Sequence, residues 1–473
     1  MSQNVLKMPE NVALRAYFWY GGIMLYRRDV EKFEQWKNAE NKKALLVTGA
    51  RQIGKTFLIR EFARRNYETF VEINFITQES AKLIFEGDLN ADSIIQGITA
   101  FCKQKLEVGK TLIFFDEVQE CPEIRTAIKF LIDDGRFDYV ESGSLLGVQY
   151  KSVKSYPVGY EHLVKMFPLT FEEFCIACGV QEQTFSLLED CFNSLKPVPV
   201  SVHNTMKQLF QAYTIVGGMP AVVQEYVNSH DIAKVVEMQK DILALYRQDI
   251  AKYSEKDKEK ISAIFDNMPS QLDSKNRRFK LNSIRSTARM ERYEESFIWL
   301  KDAGVAIPCY NIVAPQIPLK LNEQSNLFKL YMSDVGLLCA SCIDNVQFSI
   351  LNGDLSVNMG SVLENVYAQE LVAKGFEVRF MNKKFGEIDF VIQNQGKVIL
   401  LEIKSGSNFK KHTALNNVLA VKEWKLNEAF VFCMGNVERS DFITYLPWYM
   451  IIFMKKDEVP KNSKFEVSLS NLL

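Results

Sequence analysis

The sequence predicts an α/β protein whose first half is built on a mainly parallel β-sheet. Short apolar runs alternate with helical patterns, and the candidate strands are 45–48, 70–73, 112–115, 139–142 and 164–167. Strands that alternate with helices imply a parallel sheet covered on both faces. A glycine-rich turn joins the first strand to a helical pattern, and the content of 47% hydrophobic and 24% charged residues is typical of a globular chain.

The glycine-rich turn has the spacing of a phosphate-binding loop, G-x-x-x-x-G-K-[ST]. Its residues are Gly49, Ala50, Arg51, Gln52, Ile53, Gly54, Lys55 and Thr56. The glycines let backbone N–H groups face phosphate oxygens, Lys55 supplies a positive charge, and Thr56 offers a hydroxyl to Mg²⁺. The strand before the loop and the helix after it favour this interpretation over a chance match. The expected ligands are therefore ATP and Mg²⁺.

A second set of polar residues follows the later strands of the same predicted sheet. Asp116 and Glu117 come directly after an apolar strand, which is the Walker B arrangement. We expect Asp116 to hold Mg²⁺, directly or through water, and Glu117 to polarise the attacking water. Ser142 is the first candidate and Ser144 the second for a residue that senses the γ-phosphate. A plain turn is the alternative for both serines.

Length and charge limit the possible organisation. A chain of 473 residues is too long for one ordinary core and indicates two to four domains. The net charge of −1 gives no global sign of nucleic-acid binding, although a local basic patch could still bind it.

Cysteine usage and the N-terminal region favour a cytoplasmic protein without a membrane anchor. The nine cysteines are an odd number and follow no secretory signal, so a reduced compartment fits best. The Cys175/Cys178 and Cys339/Cys342 pairs fit buried free cysteines better than zinc half-sites. Residues 1–40 read as helical, and the apolar segment 12–26 is too short for a membrane span and predicts a core or interface helix.

Pattern changes divide the chain into four predicted regions. These are an ATPase domain with an N-terminal helix (1–167), a helical lid or linker (168–257), a winged-helix-like module (258–325) and a C-terminal α/β domain (326–473). The third region contains a basic stretch at 275–280 followed by a turn, a helix over 286–303 and a strand. A packing module that joins its neighbours is an equal alternative for this region.

The C-terminal region carries a second candidate site. Two apolar strands, 386–392 and 397–403, are joined through Gln395 and Gly396 and predict a hairpin. A two-residue turn would place Asp389 opposite Glu402, and Lys404 shares a strand face with Glu402. Carboxylates that bind Mg²⁺ or Mn²⁺ beside a lysine are what a metal-dependent nuclease needs, whereas a salt-bridged strand pair is the plain alternative.

The motifs at 49–56, 115–119, 142–144 and 167–174 together resemble prokaryotic AAA-type ATPases of the archaeal-ATPase-like group. The segments 217–220 and 331–338 resemble the uncharacterised C-terminal domain usually fused to that ATPase. The hairpin spacing is similar to that of the PD-(D/E)xK nuclease superfamily. The last resemblance implies a further acidic metal ligand on a preceding helix, for which Glu364 is placed.

One position departs from the ATPase family pattern. The family usually has Gly-Arg where this chain has Gly159 and Tyr160. If that arginine acts on a neighbouring subunit's nucleotide, this chain lacks it, and Arg125 or Arg136 is a conceivable substitute. An arginine finger contributes about 10³–10⁵ in rate, so slow turnover is expected without one.

These observations predict an ATP-binding, Mg²⁺-dependent ATPase coupled to a nuclease-like domain that acts on DNA or RNA. The alternative is a nucleotide-controlled switch or scaffold whose C-terminal domain binds a partner without cleavage. A small-molecule kinase shares the phosphate loop, but Glu117 and the helical lid argue against it. Homo-oligomers are a further expectation.

Overall fold

We describe a computed structural model of the chain over residues 17–20, 23–144, 157–253, 257–273, 278–285, 289–342, 359–383, 386–457 and 467. The strands are β1 (Tyr17–Tyr20), β2 (Ile23–Tyr26), β3 (Ala44–Thr48), β4 (Thr69–Asn74), β5 (Thr111–Asp116), β6 (Asp138–Gly143), β7 (Glu161–Lys165), β8 (Ala306–Ile312), β9 (Glu323–Met332), β10 (Arg379–Lys383), β11 (Gly386–Asn394), β12 (Lys397–Ile403), β13 (Ala429–Cys433), β14 (Glu438–Ser440) and β15 (Ile443–Pro447). The helices are α1 (Asp29–Lys37), α2 (Lys55–Asn66), α3 (Ala91–Cys102), α4 (Ile124–Asp134), α5 (Phe171–Ala177), α6 (Glu182–Ser194), α7 (Val200–Val216), α8 (Pro220–Ser229), α9 (Ile232–Tyr253), α10 (Lys258–Asp273), α11 (Glu294–Asp302), α12 (Val335–Cys342), α13 (Met359–Ala373) and α14 (Thr413–Leu419).

The first sheet is parallel throughout, with the strand order β4-β5-β6-β3-β7. Alternate residues of β3 enter different cores, since Leu45 and Val47 point to one face and Ala44 and Leu46 to the other. The parallel sheet predicted from the apolar runs is therefore confirmed, and β7 begins and ends a few residues earlier than expected. Strand β6 lies between β3 and β5, so it separates the strand before the phosphate loop from the strand that ends at Asp116.

The N-terminal region differs from its helical prediction. Strands β1 and β2 form an antiparallel pair in which Tyr17 lies opposite Tyr26 and Tyr20 lies opposite Ile23. Only helix α1 of the described N-terminal residues is helical as expected. The aromatic run at 17–20 favours a strand, which explains the error, and residues 1–16 lie outside the described part.

A group of helices, α5 to α9, follows the first sheet and confirms the predicted helical pattern. Helix α5 begins with a capping box in which Thr170 and Glu173 exchange hydrogen bonds. The helical run is interrupted between α7 and α8, at Gly217 and Gly218. A Cβ on Gly218 would lie 2.1 Å from the Leu169 carbonyl oxygen, so only glycine permits this close packing.

The second sheet has eight strands in the order β14-β15-β13-β12-β11-β10-β8-β9. Strand β8 pairs with both β9 and β10, so it belongs to this sheet and not to a separate wing. Strand β9 also crosses the predicted boundary at residue 325. The winged-helix-like module is thus not confirmed, and part of its predicted basic stretch (275–277) and helix (286–288) lies outside the described residues.

One apolar core extends across both sheets. It contains Val47 of β3, Tyr213 of α7, Tyr367 of α13 and Leu401 of β12, all buried. Because residues from both halves of the chain are buried in one core, the hydrophobic effect stabilises the contact between the halves. Among the described residues, no helix combines the length and apolar character that crossing a membrane requires. Cys175 and Cys339 are buried, as expected, whereas Cys178 and Cys342 are only half-buried.

Candidate functional site

The phosphate loop has the backbone geometry that its glycines allow. Gly49 and Gly54 have φ values of +140° and +87°, and Gly54 is followed directly by helix α2. A Cβ on Gly49 would lie 2.4 Å from the Met166 carbonyl oxygen, so the loop packs tightly against the chain after β7. The first turn of α2 therefore directs free N–H groups to the carboxyl edge of the sheet.

The Lys55 side chain lies inside the loop. Its Nζ donates to the carbonyl oxygens of Gly49 at 3.0 Å and Ala50 at 2.7 Å. Burial lowers the pKa of Lys55 to about 8, while Glu117 and Asp116 partly offset that effect. A phosphate near this ammonium group would favour its charged form.

Asp116 is the most heavily hydrogen-bonded acid of the site. Its carboxylate accepts hydrogen bonds from the Thr56 hydroxyl at 3.2 Å, the Asn74 amide at 3.0 Å and the Glu117 backbone N–H at 3.1 Å. The Ser142 hydroxyl also donates to it. These donors come from α2, the end of β4, the residue after β5, and β6, so parallel strand ends fix Asp116 beside the loop, as the sequence predicts.

Asp116 and Thr56 also form a donor set that fits Mg²⁺. Both present oxygen atoms, which are the ligands that Mg²⁺ prefers. The remaining ligands in such sites are phosphate oxygens and water. The hydroxyl of Thr56 already points at Asp116, so the two groups are close enough to act together.

Glu117 and Ser144 face the space where a nucleotide would lie. Glu117 has a left-handed backbone (φ +57°), and Gln119 donates to its carboxylate at 2.6 Å. Ser144 is buried, and within the described part of the chain its hydroxyl has no hydrogen-bond partner. Because Ser142 is held by Asp116, the geometry favours Ser144 over Ser142 as the residue that meets a phosphate.

A cavity of about 510 Å³ opens in front of the loop. Its walls include Lys55, Glu117 and Ser144 on the sheet side. The opposite wall comes from α8 and α9, which contribute Pro220, Ala221, Met238, Asp241, Ile242 and Leu245. The sequence predicted a helical lid, but it did not identify which lid residues line this cavity. Most of them have no local signal beyond ordinary helical periodicity.

Neither arginine proposed as a substitute finger is free to act. The guanidinium of Arg125 is buried and contacts Glu161 at 2.6 Å and Glu141 at 3.6 Å. Arg136 contacts Asp92 at 2.6 Å, besides Asp134. Within this chain the two side chains are therefore committed to structural ion pairs.

The C-terminal hairpin has the register that the sequence predicts. Phe390 pairs with Leu401 and Asn394 with Lys397, which places Asp389 opposite Glu402. Gln395 and Gly396 both have positive φ, +43° and +73°, as a two-residue hairpin turn requires. Against β10, the register of β11 shifts between Ile388 and Val391. Asp389 thus lies in a β-bulge, a feature that often re-aims a side chain near a site.

Asp389, Glu402 and Lys404 are close together. The Lys404 Nζ donates to Glu402 at 2.6 Å, and Asp389 accepts from the Ile403 backbone N–H at 2.8 Å. Burial, and then the nearby charge of Asp389, raises the pKa of Glu402 to about 8, while Lys404 acts in the opposite direction. Glu402 is therefore mainly protonated at neutral pH.

Glu364, predicted as a third metal ligand, is buried and bonded to β9. It accepts hydrogen bonds from Lys329 at 3.0 Å and Tyr331 at 2.8 Å. Helix α13 packs in the core that contains Leu401, whereas Val431, the residue paired with Glu402, lies in the core on the other sheet face.

The three carboxylates predicted as metal ligands are thus not shown to form one set, and this metal site stays a prediction. The described residues contain no group of three His, Cys, Asp or Glu side chains suited to hold a metal ion. Alternation along β12 places Glu402 on the strand face opposite to Leu401 and Ile403, which pack in the same core as α13.

Helix α13 links the two halves through buried hydrogen bonds. Its Glu370 accepts from the Phe171 N–H at 2.7 Å and from the Tyr213 hydroxyl at 3.1 Å. The Tyr213 hydroxyl also donates to the Leu169 carbonyl at 2.7 Å. One turn away on α13, Asn365 bonds both backbone groups of Met332 in β9. The helix thus contacts the segment after β7 at one end and the second sheet at the other.

Comparisons with known families support the first part of this description. Residues 41–175 match the model of the AAA domain, which supports a P-loop ATPase fold for this segment. Residues 207–346 and 359–451 match two domains of unknown function, DUF8612 and DUF4143. Neither match supports the nuclease-like prediction. A search of curated proteins gives no match.

Several solved structures show partial likeness to this chain. They include the Walker-type ATPase paby2304 of Pyrococcus abyssi (15% identity, TM-score 0.39, 67% of this chain and 96% of that chain). The Orc1 protein of Aeropyrum pernix in complex with DNA (13%, 0.27, 69% and 91%) and the RuvB Holliday junction branch migration motor of Thermotoga maritima (15%, 0.28, 60% and 89%) are similar in part. These TM-scores are too low for the likenesses to bear on function.

Proposed function

We propose that this chain is a Mg²⁺-dependent ATPase whose nucleotide state is transmitted to its C-terminal sheet. The observation that carries the proposal is the convergence of Lys55, Thr56, Asp116 and Glu117 at one sheet edge, beside the cavity that lid helices close. Gly49 to Thr56 cradle the phosphates in this account. The cytoplasm, where ATP and reduced thiols coexist, is the proposed location.

Each residue has a defined part in hydrolysis. Lys55 places positive charge at the β- and γ-phosphates, and Ser144 donates a hydrogen bond to the γ-phosphate. Glu117 orients the attacking water and accepts its proton. Thr56 and Asp116 would hold Mg²⁺, which when bound supplies positive charge to the phosphates. With Arg125 and Arg136 held in ion pairs and Tyr160 in place of the family arginine, turnover is slow.

Glu117→Gln tests this proposal. The substitution keeps the shape of the side chain but removes the proton acceptor, so phosphate release should fall at least about 100-fold while ATP affinity changes less than threefold. Glu123→Gln, on an exposed side chain nearby, is the matched control and should keep full turnover. Equal turnover in the wild type and Glu117→Gln would contradict the assigned role.

Coupling to the second sheet is proposed from the α13 contacts. Closure of α8 and α9 over a nucleotide would act on the α7–α8 turn, where the Gly218 N–H donates to Asp334 at 2.7 Å. Glu370 connects the same region to α13. Both contacts are buried and hydrogen-bonded, so a shift on the nucleotide side has a direct physical route to β9 and beyond.

A second candidate function concerns nucleic acid. The contact of Asp389, Glu402 and Lys404 favours a nuclease-like site that acts on DNA or RNA, with Mg²⁺ or Mn²⁺ as the metal to be supplied. No step is assigned to that metal, because the described residues provide no three-ligand set. A binding surface that does not cut is the alternative. Homo-oligomers that bring an arginine to a neighbour's nucleotide also remain a proposal.

Cleavage assays separate these alternatives. Labelled single- and double-stranded DNA and RNA would be incubated with Mg²⁺ or Mn²⁺ and the wild type, Lys404→Ala or Lys410→Ala. Lys410 is an exposed lysine paired with Glu438 and serves as the control. Loss of cutting in Lys404→Ala alone supports the site. Equal cutting by all three proteins would exclude it, and binding without cutting would favour the partner-binding alternative.

A further inference from the structure

A second cavity, of about 250 Å³, lies on the other side of the phosphate loop. It is formed between the end of β7, the segment around β8 and the end of α13. Ala50 is its contact with the loop, whereas the nucleotide cavity begins at Arg51. The two cavities share no lining residue, so a molecule in one leaves the other open.

The charge of this second cavity is positive. Four cations, Lys165, Lys301, Lys320 and Arg379, line it together with two acids. Both acids are committed to Arg379, since Glu323 and Glu377 each contact its guanidinium at 2.6 Å.

The three lysines, by contrast, make no hydrogen bond or salt bridge to an acid in the described part of the chain, although Asp302 acts on Lys165 at longer range. Burial, together with the charge of Lys301, lowers the pKa of Lys165. Lys165 is half-buried, whereas Lys301 and Lys320 are exposed. Two neighbouring ammonium groups repel each other, and an anion between them would offset that cost.

Most of the remaining lining, apart from Ser333 and the Tyr310 hydroxyl, is apolar. Phe167, Pro168, Ile307, Val372 and Phe376 form much of the wall. Small-molecule sites combine such walls with a few charged groups that fix orientation. A free inorganic anion would leave these walls uncovered, so the complementary ligand has an apolar body with an anionic head.

The cavity also contacts the phosphate loop through its backbone. Gly304 lines the cavity with φ +72°, and a Cβ there would lie 2.8 Å from the Ala50 backbone nitrogen. Met166, another lining residue, donates its N–H to the Thr48 carbonyl at 2.8 Å. A ligand that moves either segment therefore acts directly on the loop.

We propose that this cavity binds a small organic anion, with a carboxylate or phosphate on an apolar body, and that its occupancy changes nucleotide affinity at the phosphate loop. The second half of this statement rests on the proposed nucleotide binding, whereas the first half does not. By linkage, the factor by which the anion changes ADP affinity equals the factor by which ADP changes anion affinity.

Calorimetric titration of the full chain with 1-naphthoate and 1-naphthyl phosphate tests the binding half. Saturating Mg²⁺ and ADP keep the phosphate loop filled, so any binding seen lies elsewhere. We expect one saturable site for at least one of the two anions, and the preferred probe identifies the head group. The neutral analogue 1-naphthol should bind at least tenfold more weakly.

Variants locate the site. Lys165→Met with Lys301→Met should weaken anion binding at least tenfold, and Lys320→Met alone tests the opposite wall should the double variant fail to fold. Lys110→Met, an exposed lysine paired with Glu68, should bind as the wild type does. Unchanged binding in the cavity variants, no binding of either probe, or equal binding of 1-naphthol would overturn the site.

ADP affinity measured with and without the preferred probe tests the coupling half. We expect at least a threefold change in the wild type and none in the cavity variants. Equal ADP affinity in the wild type with the probe bound would overturn the coupling but not the site. Absence of ADP binding under all conditions would refute the proposed nucleotide function instead, so the two failures are distinguishable.

Discussion

Glu402 gives the sharpest pH-dependent prediction. Burial and the neighbouring Asp389 raise the pKa of this carboxyl to about 8, whereas an unfolded chain has a glutamate near its ordinary value of about 4.3. Between these two values the folded protein binds the proton more tightly than the unfolded protein. The stability that this group contributes is therefore fully present at low pH and is lost as the pH rises towards 8.

The slope follows from the size of the shift. Each pH unit well inside this window changes the free energy of unfolding by about 1.4 kcal/mol. The slope falls as the pH approaches the pKa of Glu402, so the step from pH 6 to pH 8 costs about 2 kcal/mol. Glu402→Gln removes the titration. The free energy of unfolding of Glu402→Gln, relative to that of the wild type, should therefore increase by the same amount between pH 6 and pH 8. Asp389→Asn removes the neighbouring charge and so lowers the pKa of Glu402. The pH-dependent loss of stability should then be complete at a lower pH.

Urea unfolding followed by tryptophan fluorescence measures this difference. Trp448 donates to the Lys404 carbonyl at 2.9 Å, so its emission reports on the strand that carries Glu402. Glu438→Gln, at an exposed glutamate of the same sheet, is the control and should show a constant offset. A difference between wild type and Glu402→Gln that stays flat from pH 5 to pH 8 would refute the reasoning.

Three further predictions concern packing around the lid and α13. In Gly218→Ala the new Cβ meets the Leu169 carbonyl oxygen at 2.1 Å, so thermal unfolding should show a loss of several kcal/mol, whereas Gly87→Ala, with open space around it, should melt normally. Tyr213→Phe removes a buried hydroxyl with three partners and should cost about 2 kcal/mol in urea unfolding. Glu370→Leu leaves the Phe171 N–H unpaired and should cost about 1–3 kcal/mol in the same assay. Unchanged stability in Tyr213→Phe or in Glu370→Leu would mean that the hydrogen bonds of that side chain make no net contribution to the free energy of unfolding.

The loop before α2 and the strand that ends at Asp116 could be predicted from the sequence because their signals are local. The phosphate loop needs glycines at fixed spacing, and Asp116 follows a buried strand whose parallel neighbours bring it to the same sheet edge. The C-terminal hairpin was also predictable. Gln395 and Gly396 fit a two-residue turn, and that turn alone sets Asp389 opposite Glu402.

What the sequence could not supply depends on long-range packing. Glu364 has the right residue type on the right helix, but nothing local says on which face of the second sheet α13 lies. The lid wall at Met238 and Ile242 looks like ordinary helix core until α9 is placed over the loop. From the sequence alone, strand β8 resembles the wing of a winged helix. Only its pairing with β10 shows that it belongs to the second sheet.

The most direct test of the account is whether nucleotide binding reaches the second sheet through α13. Hydrogen exchange of peptides covering β9, β11 and β12 would be compared with and without Mg²⁺ and ADP. We predict at least a twofold change in the wild type and in Glu259→Leu, an exposed control on α10, and no change in Glu370→Leu although it still binds ADP. Identical exchange in the wild type with and without bound ADP would contradict the proposed coupling.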